Sequence, residues 1–285
     1  MSKQKIKIEG DKWNSERVRA DRTDELYKDI PEGDTLMSID NLRVIYQTDE
    51  KETVAVENVT FDIKKGELVS IVGPSGCGKT TILRCIAGLL QPTSGKIMIG
   101  QNECSTPGSD RGMVFQDFAL FPWRTVRQNV EFGMEVAGVE KEERRERAMK
   151  YIKAVGLEKF ADSRIHELSG GMKQRVGIAR ALVMHPAVIL MDEPFGALDA
   201  QTRNIMQDQL TKIITHSERT ILFVTHSVDE ALYLSDRVVI LTKRPSTIYK
   251  VVDVPWDRPR DRTNPEFTEL RRKILNYLEE QNVMD

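Results

Sequence analysis

A chain of 285 residues with 40% hydrophobic content can build one large domain or a domain carrying an inserted lobe. Its formal net charge of −2 gives no electrostatic case for a nucleic-acid partner, and no stretch approaches the roughly 18 apolar residues of a membrane span. The three cysteines, Cys77, Cys85 and Cys104, lack metal-ligand spacing, and an odd count without a leader suggests a reducing compartment.

The first residues, 1–7, carry charge but no apolar core, so they do not read as a secretory signal. The expectation is a cytosolic chain that reaches a membrane only through a partner. Residues 1–36 read as a charged, mobile leader. Strand signals follow at 37–46, 53–63 and 96–100, with β-type alternation through Val54, Val56 and 59–63. Between them, the apolar run 68–72 ends in Gly73-Pro74-Ser75-Gly76-Cys77-Gly78-Lys79-Thr80 and leads into the helix-like Thr80-Thr81-Ile82-Leu83-Arg84. This is the phosphate-binding pattern G-x-x-x-x-G-K-[ST] in its required context of strand, loop and helix. Glycines let the backbone curl around a polyphosphate, and loop amides and the helix N-terminus face negative charge. Lys79 supplies a cation for the outer phosphates, and the Thr80 hydroxyl suits Mg²⁺.

A further run, 112–115, closes on Gln116, a natural partner for Mg²⁺ and an attacking water. From about 117 to 170 the pattern turns helical, with a solvated charged face at 140–150. It ends in Leu168-Ser169-Gly170-Gly171-Met172, a second anion-binding helix start. One chain does not need two such sites for one triphosphate. Either Ser169 and the amides of Gly170 and Gly171 serve the γ-phosphate held by another copy, or Ser169 is an N-cap and the glycines a turn. The continuous apolar run 187–191 fits a strand buried on both faces and ends in Asp192-Glu193-Pro194. Carboxylates at a strand's C-terminal end lie where ligands bind in open α/β sheets. Asp192 is placed for the Mg²⁺ shell and Glu193 for a water. The run 221–224 ends in Thr225-His226, which puts a histidine on the same edge, within reach of a γ-phosphate. Strands and helices alternate to about 250. Residues 251–262, with Pro255 and Pro259, read as a linker. Phe267, Leu270, Ile274, Leu275 and Leu278 then mark an amphipathic terminal helix.

Taken together and in this order, these residues resemble the ATP-binding cassette (ABC) ATPases, over roughly residues 37 to 250. The resemblance implies an α/β phosphate-loop NTPase core with an antiparallel β subdomain and a helical subdomain inserted at about 117–170. It implies ATP and Mg²⁺ as cofactors. Tyr46 falls where the family stacks an aromatic on adenine, and the ATP site would comprise Tyr46 with residues 73–81, Thr81 included. Mg²⁺ would lie on Thr80, Gln116 and Asp192, and catalysis would rest on Glu193, His226, Gln116 and Lys79. Two cassettes would sandwich two ATP molecules, with Ser169, Gly170 and Gly171 of the family's signature, residues 168–172 at the start of a helix, and Asp199 of the loop Ala197-Leu198-Asp199 acting in trans.

The stretch 107–116 running into Leu120-Phe121-Pro122-Trp123, the stretch 192–203 and Arg258-Pro259-Arg260 narrow the resemblance to cassettes of the nitrate/sulfonate/bicarbonate/taurine importers. That group implies a homodimer or paired cassette, integral membrane permease subunits, a periplasmic or extracellular solute-binding protein, and a peripheral place on the cytoplasmic face. Phe118 and residues 120–123 are candidates for a docking groove or for lobe core. Met172 and Ser227 depart from the commoner Gln and Asp, and neither removes a phosphate ligand. An ABC-type ATPase acting on ribosomes or DNA is the alternative, disfavoured by a single cassette without long heptads.

Overall fold

The computed structural model describes residues 27–47, 51–196, 198–217 and 219–283. Its centre is a six-stranded sheet in the order β10-β9-β3-β8-β7-β6. These strands are β3 (Leu68–Val72), β6 (Arg111–Val114), β7 (Val188–Asp192), β8 (Thr220–Val224), β9 (Arg237–Leu241) and β10 (Ile248–Asp253). All neighbours are parallel except β10, which runs antiparallel to β9. Every residue of β3, β7 and β8 is buried. That explains why these segments are continuous apolar runs: both sheet faces are covered, so alternation has no solvent side to serve.

One face carries α1 (Lys79–Ile86) and a second, antiparallel sheet of β1 (Thr35–Gln47), β2 (Glu52–Lys64), β4 (Ser94–Ile99) and β5 (Asn102–Glu103). Val69 and Ile71 of β3 join that core, together with Ile82, Leu83 and Ile86 of α1. The opposite face is covered by α4 (Gly170–Leu182), α5 (Ala200–Ser217), α6 (Val228–Leu234) and α7 (Pro265–Val283). A separate lobe of α2 (Val126–Val136) and α3 (Lys141–Ala154) packs against α4 around Val130, Met134, Ile152 and Val176. A capping box on Thr125 and Gln128 starts α2. The preceding residues 117–125 are not helical, so the lobe's helices begin later than the sequence pattern suggests.

Two boundaries differ from the sequence reading. Residues 1–26 lie outside the described residues, but 27–36 are not a loose leader. Tyr27 is buried against Gly100, where a Cβ would come within 2.9 Å of its ring. Lys65 Nζ donates to the carbonyls of Tyr27 and Ile30 at 2.9 and 2.7 Å. A lysine pinning two carbonyls has no sequence periodicity and so left no signal. At the other end, residues 251–253 continue β10 rather than opening a linker. Beyond it the chain is tied down by arginines. Arg258 donates to Leu234 O and to Asp236, and Arg260 donates to the carbonyls of Trp256, Leu232 and Tyr233. Burial pushes the Arg260 guanidinium down to about 10.

Arg260 thereby fixes the entry to α7, whose Phe267 and Ile274 pack against α6 and β9. Replacing it by Met leaves three carbonyls short of a donor, at a cost of about 2–3 kcal/mol. The expected fall in Tm for Arg260→Met is roughly 4–10 °C by thermal denaturation. An unchanged Tm would show that the C-terminal segment is not anchored this way.

Candidate active site

Four parallel strands end on one edge, and each ends in a residue with chemistry. β3 opens into the glycine loop, β7 into Asp192-Glu193, β8 into Thr225-His226 and β6 into Phe115-Gln116. The glycine loop needs its glycines. Gly78 caps α1 at φ 113°, and a Cβ there would sit 3.1 Å from Ala55 O. Gly76 also lies at positive φ, 72°. Lys79, only 6% exposed, spans the loop and donates to Gly73 O at 2.8 Å and Pro74 O at 3.0 Å. Its ammonium is thus held inside the cradle, where the outer phosphates of a nucleotide would come to lie.

Thr80 Oγ1 donates to Asp192 Oδ1 at 3.0 Å. Burial pushes the Asp192 carboxyl above the usual carboxylate range, while the Thr80 hydroxyl pulls the other way. A desolvated carboxylate and a hydroxyl are hard oxygen donors that fit a divalent cation. Among the described residues no group of three His, Cys, Asp or Glu forms a metal cage.

Glu193 sits just past β7 at φ 42°, a region that residues bearing a Cβ enter rarely. Its amide is held by Val224 O at 2.9 Å, and its Oε2 lies 3.0 Å from His226 Nδ1. Carboxylate and imidazole thus face the same space above the sheet edge, an arrangement able to orient and deprotonate a water. Tyr46, 40% exposed, lies beside the loop with its hydroxyl 3.1 Å from that of Thr81. Gln116 follows β6 two positions past Val114, which pairs with Met191, and is exposed at the same edge. No hydrogen bond joins it to Thr80 or Asp192 among the described residues.

The residues read as acting in trans stand on α4 and before α5. Ser169 Oγ accepts from Met172 N at 3.3 Å, so it is an N-cap, and its exposed hydroxyl still has a proton to donate outward. Gly170 has open space where a Cβ would go, whereas a Cβ on Gly171 would meet Thr202 Cγ2 at 2.9 Å. Gly171 is thus also required for α4 to pack on α5. Asp199 Oδ1 accepts from Thr202 N at 3.0 Å, and this bond holds its carboxyl below the usual range. Ala197 lies outside the described residues.

Several supporting residues escaped the sequence reading. Arg244 Nη2 donates to Gly76 O at 2.8 Å, and Ser246 Oγ would lie 3.2 Å from a Cβ on Gly78, so the turn after β9 braces the glycine loop. The buried Glu230 accepts from Thr225 Oγ1 at 2.6 Å, which fixes the turn carrying His226. The Ser227-x-x-Glu230 spacing of a capping box was a usable signal for it. The arginine contacts to carbonyls have none.

A family model described as ABC transporter matches residues 56–196. A protein of Methanocaldococcus jannaschii described as an uncharacterized ABC transporter ATP-binding protein is 53% identical over 245 residues, spanning 86% of this chain and 92% of that one. This chain belongs to the ABC transporter ATPase family. The nitrate import ATP-binding protein of a Synechocystis strain is 46% identical to this cassette over 251 residues, covering 85% of it and 94% of the relative. The taurine import ATP-binding protein of Pelagibacter ubique is 44% identical over 246 residues, covering 84% and 93%. Among solved structures, a dimeric ATP-binding cassette in a post-hydrolysis state bound to ADP and Pi aligns with TM-score 0.69 and 35% identity, covering 78% of this chain and all of that one.

The raised Asp192 carboxyl gives a stability test on the cassette. A carboxyl raised in the folded state holds its proton more tightly there than in the unfolded chain. Its ionisation therefore destabilises the nucleotide-free fold at neutral pH, and this penalty fades as pH falls through the raised value. Without nucleotide at pH 7, Asp192→Asn is expected to melt higher than the parent, with the gap narrowing toward about pH 4. A variant that melts lower at pH 7 would contradict the assigned cause.

Proposed function

We propose that this cassette is the ATP-hydrolysing subunit of an importer for a small, anionic solute, working as a dimer on a membrane permease fed by a separate solute-binding protein. The observation that carries the reading is the convergence of Lys79, Thr80, Asp192, Glu193 and His226 on one sheet edge beside the glycine loop. Phosphoryl transfer asks for positioning and charge neutralisation rather than covalent chemistry, and that is what these groups offer. Lys79 and the loop amides would neutralise the β- and γ-phosphates, with adenine on Tyr46. Thr80, Asp192 and Gln116 would hold Mg²⁺, which would supply charge neutralisation at the phosphates. Glu193 would orient and deprotonate the water, with His226 contacting the γ-phosphate.

Ser169 and Gly170 are exposed at the start of α4, which supports their use by a second copy; the dimeric neighbour supports the same assembly. Loss of the γ-phosphate would then separate the copies, since a ligand that bridges them in one state biases the closed form. Anionic cargo is suggested by relatives named for nitrate and taurine import. For the permease contact the loop 120–123 divides in two. Leu120 packs into the lobe, whereas Trp123 is 69% exposed beside Phe121 and offers an aromatic platform. No described helix is long and apolar enough to cross a membrane.

Glu193→Gln keeps the shape of the side chain and removes the base. Steady-state hydrolysis should fall roughly 10²- to 10⁴-fold, while ATP still binds and holds a dimer on size exclusion. Pull-down from native membranes should retain a multi-span permease. Turnover within a few fold of the parent would refute the role of Glu193. Recovery of ribosomes in place of a permease would refute the importer.

A further inference from the structure

The loop after Gln116 has an unusual backbone. Phe118 at φ 60° and Ala119 at φ 45° are consecutive, both left-handed, and neither is glycine. Such a pair persists only where the surroundings over-determine it. Local turns supply part of the constraint, through Phe118 N to Phe115 O at 3.2 Å and Ala119 N to Asp117 O at 2.6 Å. The rest comes from one side chain on another element. Arg180 Nη1 donates to Ala119 O at 2.6 Å, and Nη2 donates to Phe118 O at 3.0 Å.

The planar fork matches the two carbonyls in a way that a point charge does not. Gly177, three residues earlier on the same helix face, has Phe118 O 3.8 Å from where its Cβ would be. The Arg180 guanidinium also lies 5.9 Å from the centroid of the Phe121 ring. Burial lowers its pKa, and its hydrogen-bond acceptors among the described residues are these backbone carbonyls. A desolvated cation aimed at the two left-handed residues is specific to that backbone.

Arg180 sits in the last turn of α4, whose first turn is Gly170-Gly171 capped by Ser169. The ten helical steps from Gly170 to Arg180, about 15 Å of rigid helix, join the two. Beyond the latch, the buried Asn129 of α2 accepts from Phe121 N at 2.8 Å and donates back to Phe121 O at 3.2 Å. The loop is thereby fixed to the helical lobe on both counts. Only residues 115–117 lie between the end of β6 and the first latched residue, and Gln116 is the middle one.

We propose that Arg180 is a positioning residue that couples the signature helix to Gln116: when a partner's phosphate engages Ser169 and shifts α4, the Arg180 fork carries Phe118 and Ala119, and with them Gln116, toward the bound nucleotide. The proposal rests on the reading of Gln116 as a Mg²⁺ and water contact and of Ser169 as a contact made in trans. Without the fork the left-handed pair relaxes, and Gln116 is no longer placed by the state of α4.

The test compares the parent, Arg180→Met, Arg180→Lys, Gln116→Ala and the double variant Arg180→Met/Gln116→Ala. ATP affinity, kcat, KM and Tm are measured on each. Arg180→Met should bind ATP within about twofold of the parent and lose at least about tenfold in kcat, as expected of a misplaced reacting group. Arg180→Lys, with charge but no fork, should remain well below the parent. The double variant should be no slower than Gln116→Ala alone, because both lesions remove one function. If Arg180→Met does not fold, Arg180→Lys and its double with Gln116→Ala carry the same comparison. A kcat like the parent's in the Arg180 variants, with Gln116→Ala impaired, overturns the coupling and leaves the Gln116 assignment standing. Additive losses also overturn it. A Gln116→Ala chain that turns over normally refutes the Gln116 assignment, and a defect confined to the Arg180 variants then refutes the coupling as well.

Discussion

The hydrogen bond from Thr80 to Asp192 joins residues 112 positions apart at 3.0 Å, and the rest of the site depends on the geometry that makes it possible. It requires β3 and β7 to flank β8, all parallel and in register, so that their C-terminal ends stop at one level. Parallel strands in one sheet need crossovers, and these place helices on both faces. Full burial of the central strands follows, and with it the apolar runs that end abruptly in polar residues. The same requirement brings Glu193 to His226 and sets Gln116 on the same edge. One topological constraint thus generates the core and the sheet edge on which the glycine loop, Asp192 and Glu193 meet.

At that edge the backbone is bent away from comfort. Glu193, Phe118 and Ala119 all hold left-handed conformations that cost of order 1–3 kcal/mol each. Each is secured from another element: Glu193 by the Val224 carbonyl, and the loop pair by Arg180. The strained positions lie next to the groups read as touching water or γ-phosphate. Strain of this kind suits elements with two arrangements, because release of a single contact shifts the balance.

The parts legible in the sequence are those where one element makes one pattern. The runs 68–72, 187–191 and 221–224 end within a residue of β3, β7 and β8, because burial on both faces leaves no alternation to misread. The glycine loop was legible because its backbone needs glycine at Gly76 and Gly78. What stayed hidden is contact between distant segments with no periodicity. Arg180, Arg244, Arg258 and Arg260 each grip backbone carbonyls, which any residue type supplies. The anchoring of Tyr27 by Lys65 was lost for the same reason, and with it the start of the folded part. Ser169 was read either for anion binding in trans or as an N-cap, and the structure shows the N-cap; the close approach of Gly171 to Thr202 had no sequence signal.

The central claim is that one copy's signature completes the other copy's phosphate site. The direct measurement is crosslinking in a chain with Cys77, Cys85 and Cys104 replaced by Ala and Glu193 by Gln, so that ATP persists. Ser169→Cys and Ser75→Cys chains, prepared separately and mixed, are treated with a short bifunctional thiol reagent. The account predicts a mixed crosslinked dimer with ATP and little with ADP. Absence of that crosslink while ATP is bound would contradict a composite site.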